Sequence, residues 1–212
     1  MRINKVTLGV IAVALIGIFI VAAKIYRQGQ TTADPAPAGS ALLVRPHSPT
    51  LGPEQAAVTI VEFFDPECES CRAMYPIVKQ VMAEFDGRVR LVIRYMPLHQ
   101  NSMYAASLLE AARAENKYWE FLDIVMLRQP EWGSHAAPRP ELLVTYAAAV
   151  GLDGARLQAA ATDPAIRTRI LQDQADGTAL NAKQTPTFFI NGKQLMQLGH
   201  AQLRAAVQAQ LQ

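Results

Sequence analysis

The chain contains two cysteines, Cys68 and Cys71, in a C-x-x-C arrangement that follows a strand-like apolar run at positions 58–64. A pair at such a strand-to-helix junction has its first sulfur at a helix N-terminus. There the unpaired backbone N–H groups and the helix dipole favour the thiolate, which is the reactive form of cysteine. The pattern therefore predicts redox chemistry at the end of a buried strand.

Composition restricts the class of protein. Half of the 212 residues are apolar, which is enough to form a sizeable core and argues against intrinsic disorder. The formal net charge of +2 is spread along the chain without a basic run, so no nucleic-acid partner is expected. Two cysteines are too few for a small fold that is stabilised mainly by disulfides, and their close spacing favours pairing with each other.

The N-terminal segment has the pattern of a membrane anchor. Residues 6–23 are apolar with Thr7 as the only polar interruption, and as a helix they would be about 27 Å long, close to the hydrocarbon thickness of a bilayer. The competing interpretation is a cleaved signal peptide, since residues 21–23 are small enough for cleavage. The apolar run is longer than an ordinary signal h-region of about 7–15 residues, which favours the anchor. Both interpretations export the domain that follows.

Residues 1–27 are accordingly assigned to the anchor and residues 28–41, rich in Pro, Ala, Gly and Thr, to a flexible linker. Basic residues flank both ends of the apolar segment, and the free amino terminus favours a cytoplasmic N-terminus. We expect a single-pass protein of the inner (cytoplasmic) membrane, with its catalytic domain in the periplasm or outside the cell.

Alternation and helical spacing predict the elements of the remaining chain. Strands are predicted at residues 42–45, 58–64, 89–95 and 186–190, with a hairpin turn at Asn191-Gly192 leading into residues 193–196. Helices are predicted at residues 71–85, 102–116, 118–128, 141–150, 152–161, 165–180 and 201–211. A strand–helix–strand unit, a long helical block, and a hairpin with a final helix predict an α/β fold.

Two segments resemble the DsbA-like thiol-disulfide oxidoreductases. Residues 62–71 are similar to that family's active-site strand and C-x-x-C motif, and residues 185–192 to its cis-proline hairpin. The resemblance covers about residues 42–212 and implies a thioredoxin fold with an inserted helical domain at about residues 98–182. It also implies exchange of disulfides with exported proteins and recycling by a membrane redox partner. No cofactor is expected beyond the redox-active Cys68–Cys71 disulfide.

The resemblance also implies residue roles. Cys68, the more exposed sulfur, would attack a client disulfide, and Cys71 would resolve the mixed disulfide. Glu62 matches the buried acid beneath the active site, where a carboxyl of raised pKa can exchange a proton with the buried thiol; otherwise it is an outward-facing strand residue. Pro186 matches the cis-proline, which would leave the backbone of Thr185 free to pair with an extended client peptide.

The dipeptide between the sulfurs departs from the family pattern. Strong oxidants of this family carry a histidine there, whereas this chain has Glu69 and Ser70. The thiol pKa is about 3.5 in DsbA and about 7 in thioredoxin, and these two values serve as the limits for comparison. Without a cationic neighbour, and with Glu67 and Glu69 added, the pKa of Cys68 should move toward the higher figure. The chain should therefore be a milder oxidant than DsbA, or an isomerase or reductase.

A copper-binding metallochaperone is one alternative function. The two thiolates could bind Cu(I), and Met74, Met96 and Met103 could add soft ligands. A four-cysteine zinc site is impossible with two cysteines, and Arg72 excludes the C-x-x-C-H haem attachment motif. The histidines show no ligand spacing and are interpreted as surface or structural residues: His47, His99, His135 and His200.

A non-catalytic thioredoxin-like binding module is the other alternative. It would use aromatic residues of the helical block, Tyr118, Trp119, Phe121 and Trp132, as a docking face. Aromatic residues at helical spacing are more typical of a core, and the intact cysteine pair favours chemistry.

Overall fold

The computed structural model of the chain describes residues 40–212, together with the single position Gly17. Apart from Gly17, the predicted anchor lies outside the described residues, as does almost all of the predicted linker. No helix within residues 40–212 has both the length and the apolar character needed to cross a membrane. The described segment belongs to one compact unit, Ala38–Gln212.

A mixed β-sheet forms the centre of this unit. Its strands are β1 (Thr50–Leu51), β2 (Val58–Phe64), β3 (Val89–Tyr95), β4 (Thr187–Ile190) and β5 (Lys193–Gln194), in the spatial order β1-β3-β2-β4-β5. The pairing of β2 with β3 is parallel, and the other pairings are antiparallel. Because β2 is central and covered on both faces, it is a nearly continuous apolar run.

Helices cover both faces of the sheet and fill the long connection between β3 and β4. They are α1 (Ser40–Leu43), α2 (Glu69–Glu84), α3 (Ser102–Ala114), α4 (Tyr118–Leu127), α5 (Gln129–Trp132), α6 (Leu142–Tyr146), α7 (Gly154–Ala160), α8 (Pro164–Ala179) and α9 (His200–Ala209), with a 3₁₀ turn at Ala147–Val150. The mixed α/β, thioredoxin-like fold that the sequence predicts is confirmed.

Successive residues of β2 point to opposite sides of the sheet and so contribute to different cores. Ile60 and Phe64 belong to the larger cluster, which includes residues of α2, α9 and the helical block. Phe63 belongs to the smaller cluster with Leu43 on the other face. Gly177 of α8 lies against Phe63, where a Cβ atom would come within 2.8 Å of the ring. The helix can therefore approach the sheet only with glycine at this position.

The predicted strand at residues 42–45 is wrong, because the segment begins within helix α1. Leu43 is buried against the smaller core, and the guanidinium of Arg94 donates a hydrogen bond to the carbonyl of Leu42. The sheet edge beside β3 is occupied by β1 instead, which the sequence analysis did not identify. A short apolar run does not distinguish a strand from a buried helical turn.

The aromatic residues of the helical block are mostly core residues. Tyr118, Phe121 and Trp132 are buried, and the indole N–H of Trp132 donates to the carbonyl of Val125 (2.9 Å). Trp119 is half-buried and packs against the same core. The docking face that a binding module would need is therefore not formed by these side chains.

Candidate active site

Cys68 and Cys71 lie where β2 passes into α2. Cys68 is the N-cap of the helix, with an extended backbone (φ −76°, ψ 123°). Its carbonyl accepts a hydrogen bond from the N–H of Arg72 (3.1 Å), as the first helical turn requires. Both cysteines are free thiols; Cys68 is 7% exposed, whereas Cys71 is fully buried. Of the two sulfurs, Cys68 is therefore the one that a client can reach.

The surroundings of the two sulfurs shift their pKa values in opposite directions from that of an ordinary cysteine. A hydrogen bond from Cys71, assisted by the side chain of Thr185 and by the N–H groups of Cys71 and Ser70, lowers the pKa of Cys68 to about 5 against the opposing effect of burial. Burial raises the pKa of Cys71, and the hydrogen bond to Cys68 and the charge of Glu62 raise it further. At neutral pH the site therefore holds a thiolate at Cys68 and a thiol at Cys71.

The loop before β4 lies beside the exposed sulfur. The Thr185–Pro186 peptide bond is cis, and Pro186 is buried. As a thiol, Cys68 donates a hydrogen bond to the carbonyl oxygen of Thr185 (3.2 Å). The backbone of Thr185 thus borders the sulfur, and a client segment bound along it would come next to Cys68.

Glu62 lies in the middle of β2, between Ile93 of β3 and Phe188 of β4. Its side chain is fully buried, and neither carboxyl oxygen has a hydrogen-bond partner within residues 40–212. Burial, followed by the charge of Cys68, raises its pKa to about 8. The position is thus an internal one on the strand leading to the cysteines, and the carboxyl can hold or release a proton near neutral pH.

The two residues between the sulfurs are exposed. The Glu69 carboxylate pairs with the His135 ring (3.1 Å), and its own backbone N–H, followed by His135, lowers its pKa. Glu67 is buried and accepts hydrogen bonds from the backbone (2.6 Å) and side chain (2.8 Å) of Asn101. Each of these carboxylates therefore has its own partner. The pKa of Cys68, about 5, lies between the thiol pKa values of DsbA, about 3.5, and thioredoxin, about 7.

Comparison with known proteins places this geometry in a family. A thioredoxin family model matches residues 45–209. A thioredoxin-like oxidoreductase from Silicibacter pomeroyi DSS-3 is 32% identical, with a TM-score of 0.69 over 80% of this chain and 95% of that one. The chain belongs to the thioredoxin family. The prediction that it belongs to the oxidoreductases is confirmed.

Other similarities are more distant or partial. BdbD from Bacillus subtilis shares the fold, with 22% identity and a TM-score of 0.70 over 78% of this chain and 93% of that one. A Na⁺/H⁺ antiporter NhaA of Herminiimonas arsenicoxydans is 38% identical over 182 residues, which is 84% of this chain but 27% of that protein. The chain thus spans about a quarter of the length of this antiporter relative.

The site also includes residues to which no sequence motif pointed. Asp65 is buried after β2, and its carboxylate accepts hydrogen bonds from the backbone N–H groups of Glu67 and Leu98 (both 2.8 Å). Gln129 of α5 is also buried, and its side-chain amide donates to the carbonyls of Pro66 (3.0 Å) and Cys68 (2.9 Å). An acid just after a buried strand was a usable signal for Asp65; a glutamine within the helical block gave none.

The active-site edge also brings together two histidines that appear unrelated in the sequence. The rings of His99 and His135 lie with their centroids 5.4 Å apart, next to Asp65 and Glu69 respectively. Sequence spacing did not reveal this pair, because His99 follows β3 and His135 lies in the helical block.

The soft ligands that a copper site would need do not converge. Met74 packs in the larger core, Met96 in the smaller core on the opposite face, and Met103 is only partly buried at the edge of the larger one. Within the part of the chain that the structure describes, no three His, Cys, Asp or Glu side chains are grouped so that they could hold a metal ion.

Proposed function

We propose that the chain is a thiol-disulfide oxidoreductase that exchanges disulfides with exported proteins through Cys68 and Cys71. The observation that carries this proposal is the division of acidity at the start of α2, where an accessible sulfur of pKa about 5 lies beside a buried thiol of raised pKa. A thiolate is the attacking species in disulfide exchange. A binding module would have no need of a sulfur held in that form.

The exchange would proceed in two displacements. The Cys68 thiolate attacks one sulfur of a client disulfide, which forms a mixed disulfide and releases the other client sulfur as a thiolate. Cys71 then loses its proton and attacks Cys68, which forms the Cys68–Cys71 disulfide and releases the second client thiolate. The client gains two electrons, and the cysteine pair loses two. Running the same steps in reverse oxidises a client dithiol.

Glu62 would exchange the proton that Cys71 must lose. Its charge raises the pKa of the Cys71 thiol, so the two groups interact. A carboxyl with a pKa of about 8 is suited to this task, because it can bind and release a proton near neutral pH. Thr185 and Pro186 would hold the client, with the backbone of Thr185 pairing with an extended segment beside Cys68.

In redox direction we propose a milder oxidant than DsbA, or an isomerase or reductase. A more stable thiolate makes a disulfide more oxidising. Support comes from the pKa of about 5 for Cys68, a value between the thiol pKa values of DsbA (about 3.5) and thioredoxin (about 7). Neither Glu69 nor Ser70 carries positive charge, which supports this intermediate position.

For location we propose an inner-membrane protein whose residues 6–23 span the bilayer and whose catalytic domain lies in the periplasm or outside the cell. A membrane redox partner would recycle the cysteine pair. After an alkaline carbonate wash, the full chain should remain with the membranes, since a spanning apolar helix is not extracted by breaking surface contacts. A soluble product beginning near Lys24 would instead show cleavage of a signal peptide.

Trapping of mixed disulfides tests the central proposal. In cells, Cys71→Ser should accumulate mixed disulfides with exported proteins, because Cys68 can attack but the complex cannot be resolved. Cys68→Ser is the matched control, and it should trap almost none because the Cys71 sulfur is fully buried. Equal trapping by the two variants would contradict the assignment of roles. Absence of any trapping, together with no turnover of reduced or scrambled disulfide clients, would contradict the oxidoreductase function itself.

A further inference from the structure

His99 is held in a fixed position at the active-site edge. Its Nδ1 lies 2.7 Å from Oδ2 of Asp65, and its backbone N–H also donates to Asp65 (3.3 Å). Asp65 is fully buried and is itself fixed by further hydrogen bonds, among them one from the hydroxyl of Ser102. Because a carboxylate accepts the Nδ1 proton, the ring is oriented and Nε2 is left available for a second proton.

Several charged groups surround this ring. Burial alone would lower the pKa of His99, but the hydrogen bond and charge of Asp65, followed by the charges of Cys68 and Glu67, raise it above its ordinary value. From the helical block, His135 lies 5.4 Å away between ring centroids and is paired with Glu69. The His99 charge also lowers the pKa of Glu69. Asp65, which holds the ring, is itself part of the cysteine turn: its carbonyl accepts a hydrogen bond from the N–H of Cys68 (3.2 Å), and its N–H donates to the sulfur of Cys71 (3.5 Å). The ring is therefore attached to the same turn as the reactive sulfur.

We propose that His99, oriented by Asp65, is a positioning residue that supplies positive charge beside the Cys68 thiolate, a charge that neither Glu69 nor Ser70 can provide. The inference rests on the proposed function only in taking Cys68 as the attacking sulfur. The charge is carried on the loop after β3 and not on α2. Protonated His99 favours the thiolate, and the thiolate in turn favours protonated His99, because coupling between two titrating sites is reciprocal.

The expected size of the coupling is modest. Hydrogen bonds from Cys71 and from the start of α2 are the larger influences on the Cys68 sulfur. A nearby opposite charge typically shifts a pKa by about 1–3 units, and both the 28% exposure of the His99 side chain and the negative charge of Asp65 beside it weaken the interaction. A coupling of about one unit, or tenfold in the thiolate-to-thiol ratio, is therefore expected.

An NMR titration of the histidine rings in the full chain, in detergent, tests the coupling without a variant. The pKa of His99 should be about one unit higher in the reduced protein than in the disulfide form, because oxidation removes the charge of Cys68. His200 is the internal control: it pairs with Glu84 (3.0 Å), which ends the same helix α2 at the opposite end from Cys68. Its ring signals should be unaffected by oxidation of the cysteine pair.

The variant His99→Asn tests the other side of the coupling. An asparagine amide can still donate to Asp65 but carries no charge. The pKa of Cys68, followed by the ultraviolet absorbance of its thiolate, should rise by about one unit, and the reduction potential against glutathione should fall by about 30 mV. His200→Asn should change neither quantity.

Equal pKa values of His99 in the two redox forms would overturn the proposal, even if His99→Asn failed to fold. An unchanged Cys68 pKa in a folded His99→Asn protein would do the same, and would assign His99 a purely structural role on Asp65. A failure of the proposed function has a different signature: Cys71→Ser would trap no client while the coupling between His99 and Cys68 persisted.

Discussion

Replacing Glu62 with leucine should stabilise the protein, and the gain should grow with pH. In the unfolded chain this carboxyl ionises near its ordinary value of 4.5, but in the folded protein it keeps its proton up to about 8. This is the reverse of the usual acid: between those pH values the folded state binds one proton more than the unfolded state. The free energy of unfolding is therefore highest, as far as Glu62 affects it, below pH 4.5, where the carboxyl is protonated in both states. It decreases as pH rises from 4.5 to about 8, because the folded state must keep a proton that the unfolded state has already released.

The magnitude follows from the width of that window. Each pH unit costs about 1.36 kcal/mol of the free energy of unfolding, so the shift from 4.5 to about 8 corresponds to about 5 kcal/mol at and above pH 8. The charge of the Cys68 thiolate contributes part of the shift, whereas burial contributes the larger part. In the disulfide form only burial remains, so we expect a somewhat narrower window there.

Guanidinium unfolding of the oxidised protein at pH values from about 5 to 9 measures this effect. The difference in unfolding free energy between Glu62→Leu and wild type should increase by about 1.4 kcal/mol per pH unit until the carboxyl ionises. Glu54→Leu is the control, because it removes an exposed carboxyl and leaves the buried one in place. A constant difference for Glu62→Leu would refute the raised pKa and would remove the basis for proton exchange with Cys71.

Three further outcomes are expected. Alkylation of Cys68 by iodoacetamide, followed by mass spectrometry, should be nearly constant in rate above about pH 6 and fall about tenfold per unit below its pKa of about 5; a rate that still rises through pH 8 would contradict the low pKa. Gln129→Leu should destabilise the protein by about 1–3 kcal/mol in chemical denaturation, because the buried carbonyl of Pro66 loses the Gln129 donor and that of Cys68 keeps only the N–H of Arg72; a loss below about 0.5 kcal/mol would count against this. Ser70→His should lower the Cys68 pKa and raise the reduction potential by about 30 mV per unit, measured against glutathione, and no rise would show that the dipeptide does not set the potential.

The fold was predictable where local pattern and buried surface coincide. Residues 58–64 and 89–95 are β2 and β3, because their apolar runs are bounded by turn residues. Asn191 and Gly192 both have positive φ (46° and 85°), as a two-residue hairpin turn requires. Residues 42–45 gave the wrong element because a run of that length is decided by its tertiary partners, here the core around Leu43.

Only those residues of the candidate site that belong to a recognisable sequence motif could be predicted. The resemblance named Cys68, Cys71, Glu62 and Pro186. In the structure Glu62 lies within β2, the cysteines follow that strand, and Pro186 precedes the neighbouring strand β4. The resemblance could not name Gln129, whose two hydrogen bonds to the active-site loop depend on how the helical block folds over the cysteines. A side chain that contributes through one tertiary contact leaves no periodicity in the sequence.

The acidities of Cys68, Cys71 and Glu62 are linked in a way that orders the two displacements. While Cys68 is a thiolate, its charge raises the pKa of Glu62, and its hydrogen bond and charge also raise the pKa of the Cys71 thiol. Formation of the mixed disulfide removes that negative charge, because the Cys68 sulfur is then bonded to the client. Both buried groups become more acidic at that moment, so Cys71 can lose its proton once a client is attached. In the proposed mechanism, the thiolate that captures the client would therefore also keep Cys71 protonated until the client is attached.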